Sequence, residues 1–241
     1  MLVAVDWMWV EVDAELQPFL TVGDRGGRPA VRADATLGHV VESLGIPLPE
    51  VGRLDIDGHE VPPSYRPRPG ELARVHAVRR PQALPIDPPR FLLDVHLGTL
   101  ARRLRLVGVD AAYGNDLDDD TLIAQSNAER RVLLTQDRAL LYRRTLWLGA
   151  YVRGSRPDDQ FADVLTRFAP PLAPWTRCTA CNGRLIPVSK QDIGPLLQPG
   201  TRRTYDTFAR CASCGHIYWR GAHHDHLEAI VAQALHLVAA A

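Results

Sequence analysis

Two sets of residues in this chain have the types and the spacing to do chemistry. The first is acidic. Phe91-Leu92-Leu93 runs into Asp94, and Val132-Leu133-Leu134 runs through Thr135 and Gln136 to Asp137. A short apolar run that ends on a polar residue and passes into a helical pattern has the form of a buried parallel strand. Groups at the carboxyl ends of such strands converge on one crevice, so two aspartates 43 positions apart can face each other. A third acid is available between them in the cluster Asp116, Asp118, Asp119 and Asp120. Three convergent carboxylates repel one another unless a cation sits among them. Carboxylate oxygens with no cysteine or histidine nearby suit Mg²⁺ or Mn²⁺. The chemistry this predicts is metal-dependent attack on a phosphodiester. Each acid also has an ordinary structural role open to it. A strand-end aspartate caps the next helix or turn, and the acids at 118–120 favour the start of a helix over Thr121–Ala128.

The second set is Cys178 and Cys181 in CTAC, with Cys211 and Cys214 in CASC, 29 residues lying between the pairs. Two C-x-x-C knuckles supply four thiolates for a tetrahedral Zn²⁺, and Asn182-Gly183 and Gly215 supply the turn residues that follow such knuckles. Four cysteines close the coordination shell and leave no place for water, so the zinc is expected to be structural. Two redox or disulfide pairs are the alternative.

The elements that must position these residues come next. Strand and helix alternate from Phe91 onward, which predicts a parallel α/β sheet. Leu97–Val107 puts Leu97, Leu100, Ala101 and Leu104 on one helical face, with Gly108 as its stop. Arg102, Arg103 and Arg105 fall on the other faces, where solvent or a substrate phosphate can meet them. Val109–Tyr113, Val132–Thr135 and Ala150–Val152 read as strands, and Arg138–Arg144 and Asp158–Phe168 as helices. Tyr218 and Trp219 stand beside basic residues after the second knuckle, where they can stack bases or pack the ribbon onto the sheet. His223, His224 and His226 could ligate a metal, although a surface helix start is their plainer role, and His226–Val238 reads as the last helix.

Ahead of this lies a smaller α/β pattern. Val3–Val12 and Leu16–Val22 read as strands, Thr36 caps a helix over Leu37–Leu44, and Leu54–Ile56 with the turn Asp57-Gly58 precedes a strand Leu72–Val78. The stretch 81–90, with four prolines, is a stiff linker and the best boundary. Hence the expected division is a β-grasp module at 1–80, a linker at 81–90, a nuclease-like domain at 91–170, and a zinc ribbon with the terminal helix at 171–241.

Charge does not name a partner. The chain balances 28 basic against 28 acidic residues, so no global basic field points to nucleic acid. No apolar stretch approaches the length of a membrane span, and Asp6, Glu11 and Asp13 interrupt any signal core. The expectation is a soluble cytoplasmic protein without membrane association.

Two resemblances sharpen this. The run ATLGHVVESLGIPLPEVGRLDIDGHEV followed by PGELARVHAV resembles the ubiquitin-like β-grasp fold of small sulfur carriers. Those end in a free Gly-Gly, whereas here Val78-Arg79-Arg80-Pro81 continues the chain. Sulfur transfer is therefore not expected, and the module is read as binding a protein partner or its neighbour and as dispensable for the chemistry. FLLDVHLGTLARRLRLVGVD, then DDDTL, then RRVLLTQDRAL, resembles the PIN-like RNase family called Mut-seven C-terminal, as does the Y-W-x-G-x-H ending at 218–223. That family carries a zinc ribbon and often a preceding ubiquitin-like domain. The resemblance implies a PIN-like parallel sheet and RNA as substrate. It also implies catalytic acids at Asp94 and Asp137, with the middle acid among 118–120, Asp119 matching best; a fourth family acid has no counterpart. In the mechanism this implies, one or two Mg²⁺ or Mn²⁺ ions on Asp94, Asp119 and Asp137 activate water for in-line hydrolysis. The alternatives are a non-catalytic RNA- or protein-binding adaptor built on ribbon and β-grasp and, more weakly, a phospho-receiver. The receiver needs a sheet-end lysine, but Lys190 lies between the cysteine pairs.

Overall fold

The computed structural model describes residues 7–221 and 224–241. The start of the first expected strand and His223 lie outside them. The chain divides into two compact units, one of residues 1–79 with 137–151, the other of 80–136 with 152–241.

In the first unit, β1 (Trp7–Val12), β2 (Ala30–Arg32), β3 (Val51–Ile56), β4 (His59–Glu60) and β5 (Leu72–Ala77) form one mixed sheet in the order β2-β1-β5-β3-β4. The central pair β1 and β5 is parallel, as a β-grasp requires. Alternation along β1 buries Met8, Val10 and Val12 and leaves Trp7 and Trp9 outside. Helix α1 (Leu37–Ser43) covers the inner face with Leu37, Val40 and Val41, and the Thr36 hydroxyl accepts from the His39 amide as its cap. Asp57 and Gly58, both at positive φ, turn β3 into β4. The expected strand Leu16–Val22 is not formed. Ala14–Phe19 is a 3₁₀ turn instead, because Leu16 and Phe19, three apart, fall on the same side and are both buried, and Pro18 has no amide for a sheet ladder.

In the second unit, β6 (Arg90–Leu93) has Phe91, Leu92 and Leu93 fully buried, each contributing about 1.5–3 kcal/mol of apolar burial. After a 3₁₀ turn at Val95–Leu97, α2 (Gly98–Leu106) leads to β7 (Asp110–Tyr113), and α3 (Asp119–Glu129) leads to β8 (Val132–Thr135). β6 lies between β7 and β8 and is parallel to both, with Leu93 level with Tyr113 and Leu134. Gly108, at φ 84°, ends α2 where a Cβ would meet the Ala173 carbonyl at 2.0 Å, so no other residue fits.

The chain then returns to the first unit with α4 (Arg138–Leu141), a single turn where a longer helix was expected, and β9 (Gly149–Tyr151). Arg138 donates to the Phe19 carbonyl and stacks over its ring at 5.0 Å. The Tyr151 amide donates to buried Glu50 at 2.8 Å. Back in the second unit, α5 (Pro157–Phe168) packs Phe161, Val164, Leu165 and Phe168 inward, with Phe168 5.1 Å from Phe91.

The last part holds a three-stranded antiparallel sheet, β10 (Leu185–Val188), β11 (Phe208–Cys211) and β12 (Ile217–Trp219), in sequence order. Two short helices, α6 (Lys190–Ile193) and α7 (Pro199–Thr204), fill the gap between the cysteine pairs. The terminal helix α8 (His224–Ala239) buries Ile230, Val231 and Ala234 and packs on α5 and α2. No helix among the described residues is long and apolar enough to cross a membrane.

Candidate active site and metal centre

Asp94 follows β6 directly. Its amide donates to the Leu134 carbonyl, which fixes the backbone at the carboxyl end of the sheet. The residue is 7% exposed. Oδ1 accepts from the Val95 amide at 2.6 Å and Oδ2 from the Thr135 hydroxyl at 2.7 Å. Both donors are neutral, and Asp94 makes no ion pair among the described residues. Other shielded aspartates are matched by cations: Asp55 by Arg53 at 3.7 Å and Arg74 at 3.9 Å, and Asp110 by Arg131 at 2.6 Å. A carboxylate withdrawn from water without a counter-charge is costly to bury.

The cluster at 116–120 resolves into distinct jobs. Asp118 is the N-cap of α3, accepting from the Thr121 amide at 2.7 Å, and that bond holds its carboxyl below the usual range. Asp119 and Asp120 occupy the first turn, both exposed. With Asp118 committed to the cap, Asp119 is left facing solvent at the start of the helix. Asp137 caps α4 through the Ala139 amide at 2.7 Å. It lies two residues beyond β8 in the chain but belongs to the other compact unit. Among the described residues, the one group of three or more His, Cys, Asp or Glu able to hold an ion is the four cysteines.

Those cysteines are free thiols whose sulfurs lie within 4.8 Å of one another. Cys178 and Cys214 are 3.7 Å apart and Cys181 and Cys211 3.4 Å, near the edge of about 3.8 Å for a tetrahedron with Zn–S close to 2.3 Å. Burial raises the Cys211 thiol, but the Cys214 and Ser213 amides outweigh it and bring it down to about 6. Burial, and behind it the other thiols, push Cys181 up to about 12 against the Gly183 amide. Such divergence belongs to like groups that cannot all ionise together without a cation. Gly183 lets the knuckle close, since a Cβ there would meet Cys211 Sγ at 2.8 Å. The donor set and spacing fit zinc. His224 instead pairs with Glu228 one turn on, at 3.1 Å.

Several residues that hold this arrangement escape a reading of helix faces. Arg105, expected on an outer face, is 3% exposed. Its guanidinium donates to the carbonyls of Ala111, Thr179 and Ala180, so it joins α2 and β7 to the first knuckle. Burial lowers its pKa from the ordinary arginine value. Arg103 pairs with Asp158, and only Arg102 keeps the solvent role. Asp110 is a second joint: Oδ1 accepts from Arg131 and from the Asn182 amide group at 2.8 Å, and Oδ2 from Arg177 at 3.2 Å. Burial would raise Asp110, but these bonds override it and hold its carboxyl below the usual range. Tyr218 packs inward, its hydroxyl 3.1 Å from Cys178 Sγ, while Trp219 stays 42% exposed. Asp110 and Asn182 stand 72 positions apart, so no local periodicity joins them; only Asn182, singled out as a turn residue, gave a signal.

Comparison with known proteins adds family identity. A model described as Mut7-C ubiquitin matches residues 6–83, and one described as the Mut7-C RNAse domain matches 89–231. Searches of curated proteins and of solved structures returned no match. The second family match covers more than half of the chain and spans β6, the acids and both cysteine knuckles: this chain belongs to the Mut7-C RNAse domain family, with a ubiquitin-like domain ahead of it.

Proposed function

We propose that the chain hydrolyses RNA phosphodiester bonds, with Asp94, Asp119 and Asp137 holding one or two Mg²⁺ or Mn²⁺ ions and the four cysteines holding a structural Zn²⁺. The observation that carries this reading is the state of Asp94. It is an almost buried carboxylate at a strand end, oriented by two neutral donors and matched by no cation among the described residues. When bound, the divalent ions supply acidification of water and neutralisation of charge on the leaving oxygen. The chain does the rest. The Val95 amide and the Thr135 hydroxyl fix the Asp94 carboxylate, and Asp118 holds the start of α3 so that Asp119 stands in its first turn. Asp137 is carried past the end of β8 by the chain itself. RNA as substrate rests on the family match.

The adaptor reading has one observation in its favour: among the described residues the one ready ligand group is the four cysteines. Cleavage of labelled RNA by the zinc-loaded protein, with Mn²⁺ titrated from zero, separates the two. Cleavage that needs added Mn²⁺ supports the nuclease; RNA binding without cleavage at any Mn²⁺ concentration supports the adaptor.

A further inference from the structure

A cavity of about 440 Å³ opens where α2 and the end of β7 meet the ribbon, lined by Arg102, Arg105, Tyr113, Asn115, His216 and Tyr218 among others. A second, of about 290 Å³, lies against Trp175, Trp219 and His224 and shares His216 and Tyr218 with the first. The two thus meet at His216 and Tyr218, and their linings together make the candidate track. Neither has an aspartate or glutamate in its lining. One end is cationic. Arg102 is exposed and makes no ion pair or hydrogen bond among the described residues, while Arg105 beneath it is held by carbonyl groups alone and so adds positive field rather than a contact. The other end is aromatic: His216 and Tyr218 have ring centroids 4.8 Å apart, and Trp175 and His224 5.3 Å.

We propose that this track seats a single-stranded stretch of RNA, its phosphates toward Arg102 and its bases against His216, Tyr218, Trp175 and Trp219. A cationic groove with successive aromatic platforms is what an unpaired strand needs, since every base offers a π-face and every link a phosphate. The rings take more than one base, because they span both cavities. The track also ends at the right place. The Tyr113 hydroxyl donates to the Val95 carbonyl at 2.8 Å, one residue from Asp94, and Gly114-Asn115 begin the loop that leads to Asp118 and Asp119. The assignment rests on the nuclease reading for taking the strand to be RNA.

The test is fluorescence anisotropy with a labelled unstructured RNA of about 12 nucleotides, using the full zinc-loaded chain without added Mg²⁺ or Mn²⁺. Arg102→Gln should weaken binding and reduce the slope of log K against log salt by about 0.7, whereas Arg102→Lys should keep the slope. His216→Ala should cost at least ~5-fold by loss of stacking, and the double variant with Arg102→Gln at least ~10-fold. Arg203→Gln, an exposed charge on α7, should bind like the parent. Zinc content and melting midpoint must match the parent in each. A double variant that binds like the parent overturns the assignment, even if Mn²⁺-dependent cleavage stands. A parent that binds through these residues but never cleaves the same RNA with Mn²⁺ overturns the nuclease reading and leaves the track in place.

Discussion

The Thr135 hydroxyl donates to Asp94 Oδ2 at 2.7 Å, a link between the ends of two parallel strands that fixes the orientation of the proposed ligand carboxylate. Thr135 is itself fully buried, and its carbonyl accepts from the Val152 amide, so its position does not depend on the site. Thr135→Val keeps the volume and removes the donor. Second-layer bonds of this kind are worth about 10–100-fold in metal affinity or activity. The expected outcome is Mn²⁺-dependent cleavage that saturates at roughly tenfold higher Mn²⁺. An unchanged Mn²⁺ dependence would show that Thr135 does not orient Asp94.

Asp110 is predicted to secure the ribbon. Its side chain is 19% exposed and binds Arg131, Arg177 and Asn182. Asp110→Asn should cost about 3 kcal/mol at neutral pH, because Arg131 is left with a weakened partner. The sign with pH follows from the depressed folded pKa. The stabilisation is fully present above the unfolded value of about 4 and is lost as pH falls through the lower folded value. Urea midpoints of parent and variant should therefore differ by a constant amount from pH 7 to about 5 and converge in stronger acid. A gap that widens on acidification would contradict this.

The ubiquitin-like module was expected to be dispensable for the chemistry, and the packing of one segment supports the opposite prediction. Segment 137–151 packs with residues 1–79, through Arg138 on Phe19 and the Tyr151 amide on Glu50. A chain beginning near Leu84 loses these partners and frees the segment that carries Asp137. Such a protein should keep its zinc but lose most cleavage. Full activity in the truncated, zinc-loaded protein would refute the link.

Zinc is predicted to hold the ribbon. With four sulfurs inside 4.8 Å, Cys211→Ser should abolish stoichiometric zinc and loosen residues 176–219. Structural zinc binding is largely folding free energy, on the order of 10–16 kcal/mol in small domains. Hydrogen exchange should show lost protection there, with β6 and β8 unaffected. Retention of one zinc per chain by the variant would contradict a four-cysteine site.

How much of this was legible follows from the range of each interaction. The strands at Phe91–Leu93 and Val132–Thr135 are visible because each holds three consecutive apolar residues, which fit a strand buried on both faces. The Thr36 cap and the Gly108 stop are local chemistry. Leu16–Val22 misleads because Leu16, Phe19 and Leu20 are apolar in any conformation, and a 3₁₀ turn buries them as well as a strand would. Arg105 and Asp110 could not be read, since their partners Thr179, Ala180 and Asn182 lie about 70 positions away. Which of the three consecutive aspartates caps α3 was not legible either; the structure gives that role to Asp118.

The central claim is that Asp94 serves a catalytic cation. Asp94→Asn keeps the size and can keep the Val95 and Thr135 bonds, but removes the charge. The decisive measurement is single-turnover cleavage of labelled RNA at saturating Mn²⁺, with RNA binding and melting midpoint measured on the same zinc-loaded protein. The predicted result is a rate lower by about 100-fold or more, with binding retained and the midpoint unchanged or raised, since an unmatched shielded charge has gone. Cleavage by Asp94→Asn at the parent's rate would contradict the account.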